Sequence, residues 1–228
     1  MIFTSPIISA GSGSVAGLTF SHNAGGMYVR ARAIPTDPNS PEQQAVKALV
    51  GNLAGLWNSL LTSVQRDAWN VYAANVPLLN PLGQQRNVSG IAMYIRSNTA
   101  RLQGTLARVD DAPTVFTLGD FTNPSFGFDA TADEVDVTFT AADAWANEDA
   151  AAMLVYASRP QNDSINFFKG PYRFAGEILG DAITPPTSPA AIAAPFPASA
   201  GQRVFERIVV VRADGRVSLD FRGQSDAA

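Results

Sequence analysis

Hydrophobic and polar residues alternate along "SVAGLTF" and "MYVRARAI", residues 14–20 and 27–34, and the intervening "SHNAGG" carries the asparagine and glycines of a turn. Period-two alternation rich in β-branched and aromatic residues predicts a β-hairpin over residues 14–34. On its second strand Tyr28, Arg30 and Arg32 share one face, and Met27, Val29 and Ala31 share the other. One side of the hairpin is therefore basic and the other apolar.

Past "PTDPNSPEQQ" the spacing becomes helical. Ser40 is placed as an N-cap, Pro41 takes the first helical position and Gln43 completes a capping box. Val46, Leu49, Val50, Leu53, Leu56, Trp57 and Leu60 then recur at three- and four-residue intervals, predicting a helix to Leu60 with a continuous buried stripe. Thr62 and Gln65 form a second capping box, opening a helix whose Ala68, Trp69, Tyr72 and Val76 share a face. After "VPLLNPLGQQRN", Ser89 is placed to cap a third helix carrying Ile91, Tyr94, Ile95 and Leu102.

From "VDDAPTVFTLGDF" onward the pattern is all-β, with strands predicted at 114–121, 134–140, 152–158, 171–178, 204–212 and 216–221. Asp214-Gly215 reads as a two-residue hairpin turn inside "ERIVVVRADGRVSLDF". Residues 180–201 form a Pro/Ala-rich loop. The expected fold class is α+β: an N-terminal β-hairpin with a small three-helix domain, followed by an immunoglobulin/fibronectin-III-like sandwich. The expected divisions are an extended arm at 1–13, a docking domain at 14–110 and the sandwich at 111–228.

Charge changes this picture in one respect. Residues 1–110 carry a net charge of +4 and residues 111–228 a net charge of −8, so the two halves are expected to face different surroundings. Only 16% of residues are charged, against roughly 25% in typical soluble domains, which leaves surface to be covered by small polar residues or by other protein. The absence of cysteine excludes disulfides, zinc–thiolate sites, iron–sulfur clusters and a cysteine nucleophile. "MIFTSPIISAGSG" does not read as a secretory signal, and no apolar run reaches membrane-spanning length, so no membrane partner is expected.

Candidate chemistry is sparse. Gly11, Gly13 and Ala16 spell G-x-G-x-x-A, but strands rather than a helix follow and Asp37 lies too near to hold a ribose. Those glycines read as a pliable lead-in, with Gly17 and Gly25-Gly26 serving the hairpin. His22, the single histidine, reads as a turn residue, and no G-x-S-x-G accompanies it. The pairs Asp110/Asp111, Asp133/Asp136 and Glu148/Asp149 fall in predicted turns and strand edges, as solvated surface does. "DATADEVD" lacks the central glycine and terminal glutamate of a calcium loop. No catalytic residue, cofactor or metal is expected. Tyr28, Arg30 and Arg32, with Arg96 and Arg101 on the third helix, are instead expected to form a basic and aromatic partner-binding patch. A charge of +4 is modest for a nucleic-acid binder, and the arginines equally suit carboxylates on a protein.

The frame "GSVAGLTFSHNAGGMYVRARAIPTDPNSPEQQAV", "LWNSLLTSVQRDAWNVYAANVP" and "VSGIAMYIRSN" resembles uncharacterised structural (virion) proteins of tailed bacteriophages and prophages, over roughly residues 11–105. The positions that carry it are Gly17, Gly26, Tyr28, Arg30, Arg32, Pro38, Gln43, Trp57, Trp69, Ser89, Gly90, Tyr94, Arg96 and Asn98. The resemblance implies a virion component made in the host cytoplasm, with the major capsid protein or other virion proteins as partners. A capsid decoration or cement protein is the first expectation. A tail, baseplate or head-to-tail connector component is the second, and a polysaccharide-degrading virion enzyme the third. The low-charge surface and Pro/Ala loop point to a homo-oligomer, with a trimer as the working size.

Overall fold

A computed structural model describes residues 13–23, 26–34, 36–37, 39–80, 83–119 and 121–228. The fold is α+β, with three helices and several antiparallel sheets among the described residues. The chain divides into two compact units, Met1–Ala45 and Val46–Ala228.

In the first unit, β1 (Gly13–Val15), β2 (Leu18–Asn23) and β3 (Gly26–Ala31) form an antiparallel sheet in that order. The expected strand "SVAGLTF" is broken by a two-residue turn in which Ala16 and Gly17 both take positive φ, 47° and 82°. Two left-handed residues match the twist of the flanking strands. Alanine at the first position lacks the usual Asn-Gly or Asp-Gly signature, so one predicted strand becomes two. The expected arm, Gly13 apart, lies outside the described residues, as do Gly11, Gly25 and Pro38.

The helix α1 (Pro41–Ser59) opens on the predicted box: the Ser40 amide donates to Gln43 Oε1 at 3.1 Å and the Gln43 amide to Ser40 Oγ at 3.4 Å. Its stripe is only partly buried. Leu53 and Trp57 are in the core with Leu49 and Leu56 at its margin, while Val46, Val50 and Leu60 are exposed. The helix α2 (Ser63–Asn75) shows both halves of the Thr62/Gln65 box and buries Trp69, Tyr72 and Ala73. A two-stranded connection, β4 (Leu78–Leu79) and β5 (Gln85–Arg86), leads to α3 (Gly90–Gln103). Ser89 is its N-cap residue, but its side chain makes no cap bond; the Gly90 amide donates to Asn70 Oδ1 on α2 at 3.2 Å instead. Trp69 and Tyr94 meet edge-on with ring centroids 5.5 Å apart.

The β-rich part is sandwich-like. β6 (Ser125–Asp129), β7 (Glu134–Thr138) and β10 (Ala190–Ala193) form a sheet in the order β10-β7-β6, and β8 (Ala152–Ala157), β9 (Arg173–Leu179), β11 (Arg203–Val211) and β12 (Phe221–Asp226) form one in the order β12-β11-β8-β9. Between them lies a core that includes Val135, Val137, Trp145, Met153, Val155, Ile208 and Val210. Three strand expectations shift. Residues 114–119 are not a strand: the Thr117 and Leu118 carbonyls accept from Arg216 and Arg212 instead of from a neighbouring strand. The Pro/Ala loop contains β10, whose Ala190 and Ile192 pack on the core. The last strand begins at Phe221 rather than at 216, because the chain after the Asp214-Gly215 turn pairs with β11 only at the bridge Val211–Val217 before the register shifts.

Residues 46–228 form one compact unit, which contains the expected boundary at 110/111. All six residues of β8 are buried because each face of the strand meets a different partner. Met153, Val155 and Ala157 point into the sandwich; Ala152, Leu154 and Tyr156 join Val209 and Val211 in a second cluster with Ala100 and Leu106 from the end of α3 and the segment after it. The expected two-residue Asp214-Gly215 turn is a three-residue loop, Ala213-Asp214-Gly215: the Gly215 amide donates to the Arg212 carbonyl at 3.0 Å and the Arg212 amide to the Arg216 carbonyl at 2.9 Å, with Gly215 alone in the loop at positive φ. Its tip is held against the helices. A Cβ on Gly215, whose φ is +95°, would lie 2.8 Å from Val109 Cγ2, so only glycine fits there.

Candidate functional site

The register of the first unit sorts its side chains into two faces. Leu18 pairs across β2 and β3 with Ala31, Phe20 with Val29 and His22 with Met27, and Val15 on β1 pairs with Leu18. Thr19 pairs with Arg30 and Ser21 with Tyr28 on the opposite face, where Ser14 Oγ and Thr19 Oγ1 lie 2.7 Å apart. Cross-strand neighbours share a face, so the sheet has one apolar and one polar, basic side, as the alternation predicts for its second strand. His22 lies within β2 rather than in a turn. Arg32 follows β3, and its amide donates to the Gly17 carbonyl at 2.8 Å.

A three-stranded sheet gains stability by burying one face. Here no residue between 13 and 31 whose burial is described is fully buried, and Val15 and Leu18 are 67% and 45% exposed.

Arg96 and Arg101, expected on the same binding patch as Tyr28, Arg30 and Arg32, face inward within the second unit. Arg101 is 2% exposed; its Nε donates to the Ala107 carbonyl at 2.7 Å, and its Nη1 to the carbonyls of Arg212 at 2.7 Å and Ala150 at 3.2 Å. Arg96 donates to the carbonyls of Val217 and Ser218 at 3.2 and 2.6 Å. Burial draws both guanidinium pKa values below the ordinary value. Both arginines sit on the α3 face that packs against the sheet, and a lone sequence cannot distinguish a solvent-facing arginine from one spent on internal carbonyls.

The candidate carboxylate pairs are each tied to a neighbour. Asp110 is paired with Arg108 at 2.8 Å, and Asp111 accepts from Gln65 Nε2 at 2.8 Å. Glu148 pairs with Arg212, and Asp149 and Asp133 accept the backbone amides of Ala182 and Ala198. In "DATADEVD", Asp129 accepts the amides of Thr131 and Ala132, bonds that hold its carboxyl below the usual range. No group of three metal-ligating side chains occurs among the described residues. No helix among them is long and apolar enough to cross a membrane.

Glu206, not singled out from the sequence, is fully buried on the core face of β11. Ser225 Oγ donates to its Oε1, while Oε2 has no partner, and burial pushes its carboxyl up to about 8. The signal was present: Val204, Glu206, Ile208 and Val210 alternate on one face, and the acid interrupts an otherwise apolar row. An apolar cleft of about 420 Å³ lies elsewhere in the second unit, walled by Tyr72, Leu78, Phe116, Leu118 and Phe221.

No protein-family model matches the chain, and neither a curated protein nor a solved structure does.

Proposed function

We propose that the protein is a structural component of a tailed-phage virion, a capsid decoration or cement protein that binds the assembled shell and catalyses nothing. The observation that carries this reading is the amphipathic sheet of residues 13–31, a compact unit whose apolar side leaves Val15 and Leu18 exposed. Exposed apolar surface beside basic groups suits a protein interface: burial supplies affinity, and Tyr28, Arg30 and Arg32 supply pairing with carboxylates. Binding only the assembled shell stabilises that state by mass action. The phage resemblance over residues 11–105 supports the same reading, as does a low-charge surface suited to a homo-oligomer, with a trimer as the working size.

The sandwich is the projecting module in this proposal, of the fibronectin-III type. Lettered A to G in chain order, its strands are arranged A-B-E and D-C-F-G. The immunoglobulin constant type keeps D on the A-B-E sheet; here D lies beside C.

The test is biochemical. The protein is expected in purified virions at hundreds of copies, and adding it back to stripped particles restores resistance to heat and salt. Its absence from virions overturns the proposal, and a copy number of three, six or twelve replaces decoration with a connector or baseplate role.

A further inference from the structure

Residues 96, 99, 100 and 103 follow one another at the spacing that puts them on one face of α3. That face lines a pocket of about 290 Å³ whose other walls are Tyr156 of β8, Arg207 and Val209 of β11, and Val217 and Asp220 from the chain after the Asp214-Gly215 turn. The side chains from α3 are Arg96, Thr99, Ala100 and Gln103. The walls thus combine two guanidiniums, a hydroxyl and an amide.

The charges in this pocket do not balance. Arg96 makes no ion pair among the described residues, its bonds going to two carbonyls. Arg207 lies over the Tyr156 ring, 4.0 Å from its centroid, and reaches Asp220 at 3.4 Å. Arg222 reaches the same Asp220 oxygen, also at 3.4 Å. Asp220 is thus shared between Arg207 and, from beside the pocket, Arg222, while Arg96 in the pocket wall has no carboxylate of its own, and both of the Asp220 ion pairs are long beside the 2.7–2.9 Å of a strong one. The donors are also incompletely used. Arg207 Nε and Thr99 Oγ1 are buried without a partner. Tyr156 donates its hydroxyl proton to Gln103 Oε1 at 2.8 Å, which fixes the amide and leaves its NH2 group as a donor.

Surplus positive charge, unpartnered donors and a concave wall with one aromatic side are the ingredients of an oxyanion site. We propose that this pocket binds a small oxyanionic group, a carboxylate or a phosphate, held by Arg207 and Arg96 with Thr99 and Gln103 completing its hydrogen bonds. The site is independent of the virion reading, since it lies wholly within the second unit. Asp220 has the opposite role: it occupies part of the charge and repels the incoming anion.

The test titrates the full-length protein with sodium phosphate and, separately, sodium acetate. Chloride holds the ionic strength constant, and the Gln103 side-chain amide and the Arg207 Nε–H are followed by NMR. Saturable shifts at both groups are expected, from phosphate, acetate or both, and the responding salt identifies the source of the group. Arg207→Gln weakens binding by about tenfold or more, the cost of losing a charged hydrogen-bond partner. Thr99→Val, which keeps the shape of the side chain, weakens it less. Asp220→Asn strengthens it, an outcome that damage to the fold does not produce. Shifts no larger than those from chloride, or affinities unchanged in both Arg207→Gln and Asp220→Asn, overturn the proposal.

Discussion

The sheet of residues 13–31 and the sandwich of residues 125–226 use the same alternation of apolar and polar positions, yet Val15 is 67% exposed and Val155 is fully buried. In the sandwich each apolar face meets another layer, and β8 meets one on both sides. Amphipathic patterning thus states that a face is to be covered and leaves open whether the covering belongs to the same chain. At about 25 cal/mol per Å² of apolar surface, the exposed Val15 and Leu18 are a source of binding energy held in reserve.

The comparison is broken most severely at Arg101. If residues 46–228 form one cooperative body, Arg101→Met orphans three carbonyls and destabilises helices and sandwich together by about 3 kcal/mol or more. Chemical denaturation followed by helix-sensitive and tryptophan signals is expected to give a single, shifted transition. Two separated transitions would restore a boundary near residue 110.

Next is Glu206. The folded protein keeps its proton up to about pH 8, whereas the unfolded chain releases it near 4.5, so the folded state holds one proton more between those values. Its contribution to stability is therefore complete below pH 4.5 and is lost as pH rises toward 8, by up to about 1.4 kcal/mol per unit. Glu206→Gln has no such proton, so the stability difference between variant and wild type is expected to grow in the variant's favour across that window. Denaturation midpoints that run parallel from pH 5 to 8 would refute this.

A smaller effect is expected at the α2 cap, where Thr62→Ala removes one half of a reciprocal box and costs about 1 kcal/mol of body stability. Least of all for stability, and most for binding, is Leu18→Ser. This residue is 45% exposed, so the loss of folding stability stays within about 0.5 kcal/mol. Particle binding is expected to fall at least tenfold in a co-sedimentation assay, and undiminished binding would remove the sheet from the proposed interface.

Local signals account for what was legible. The Ser40/Gln43 and Thr62/Gln65 boxes, the three helices, the chain reversal at Asp214-Gly215 though not its two-residue length, and the two-faced strand with Tyr28 and Arg30 each depend on residues within four positions of one another, and short-range sterics and hydrogen bonding decide such features. What only the tertiary structure decided depends on groups far apart in the chain. Arg101 and Arg96 point inward because carbonyls 111 to 122 residues away along the chain receive them. The strand β10 exists because Val135 and Val137 offer a ladder to an alanine-rich segment of weak intrinsic β-preference. Three of the seven residues of the α1 stripe, Val46, Val50 and Leu60, stay exposed because the core takes up only Leu53 and Trp57, with Leu49 and Leu56 at its margin. Periodicity along the chain specifies which side chains share a face; the partner that the face meets is set by the packing of distant segments, where burial and charge compensation are decided.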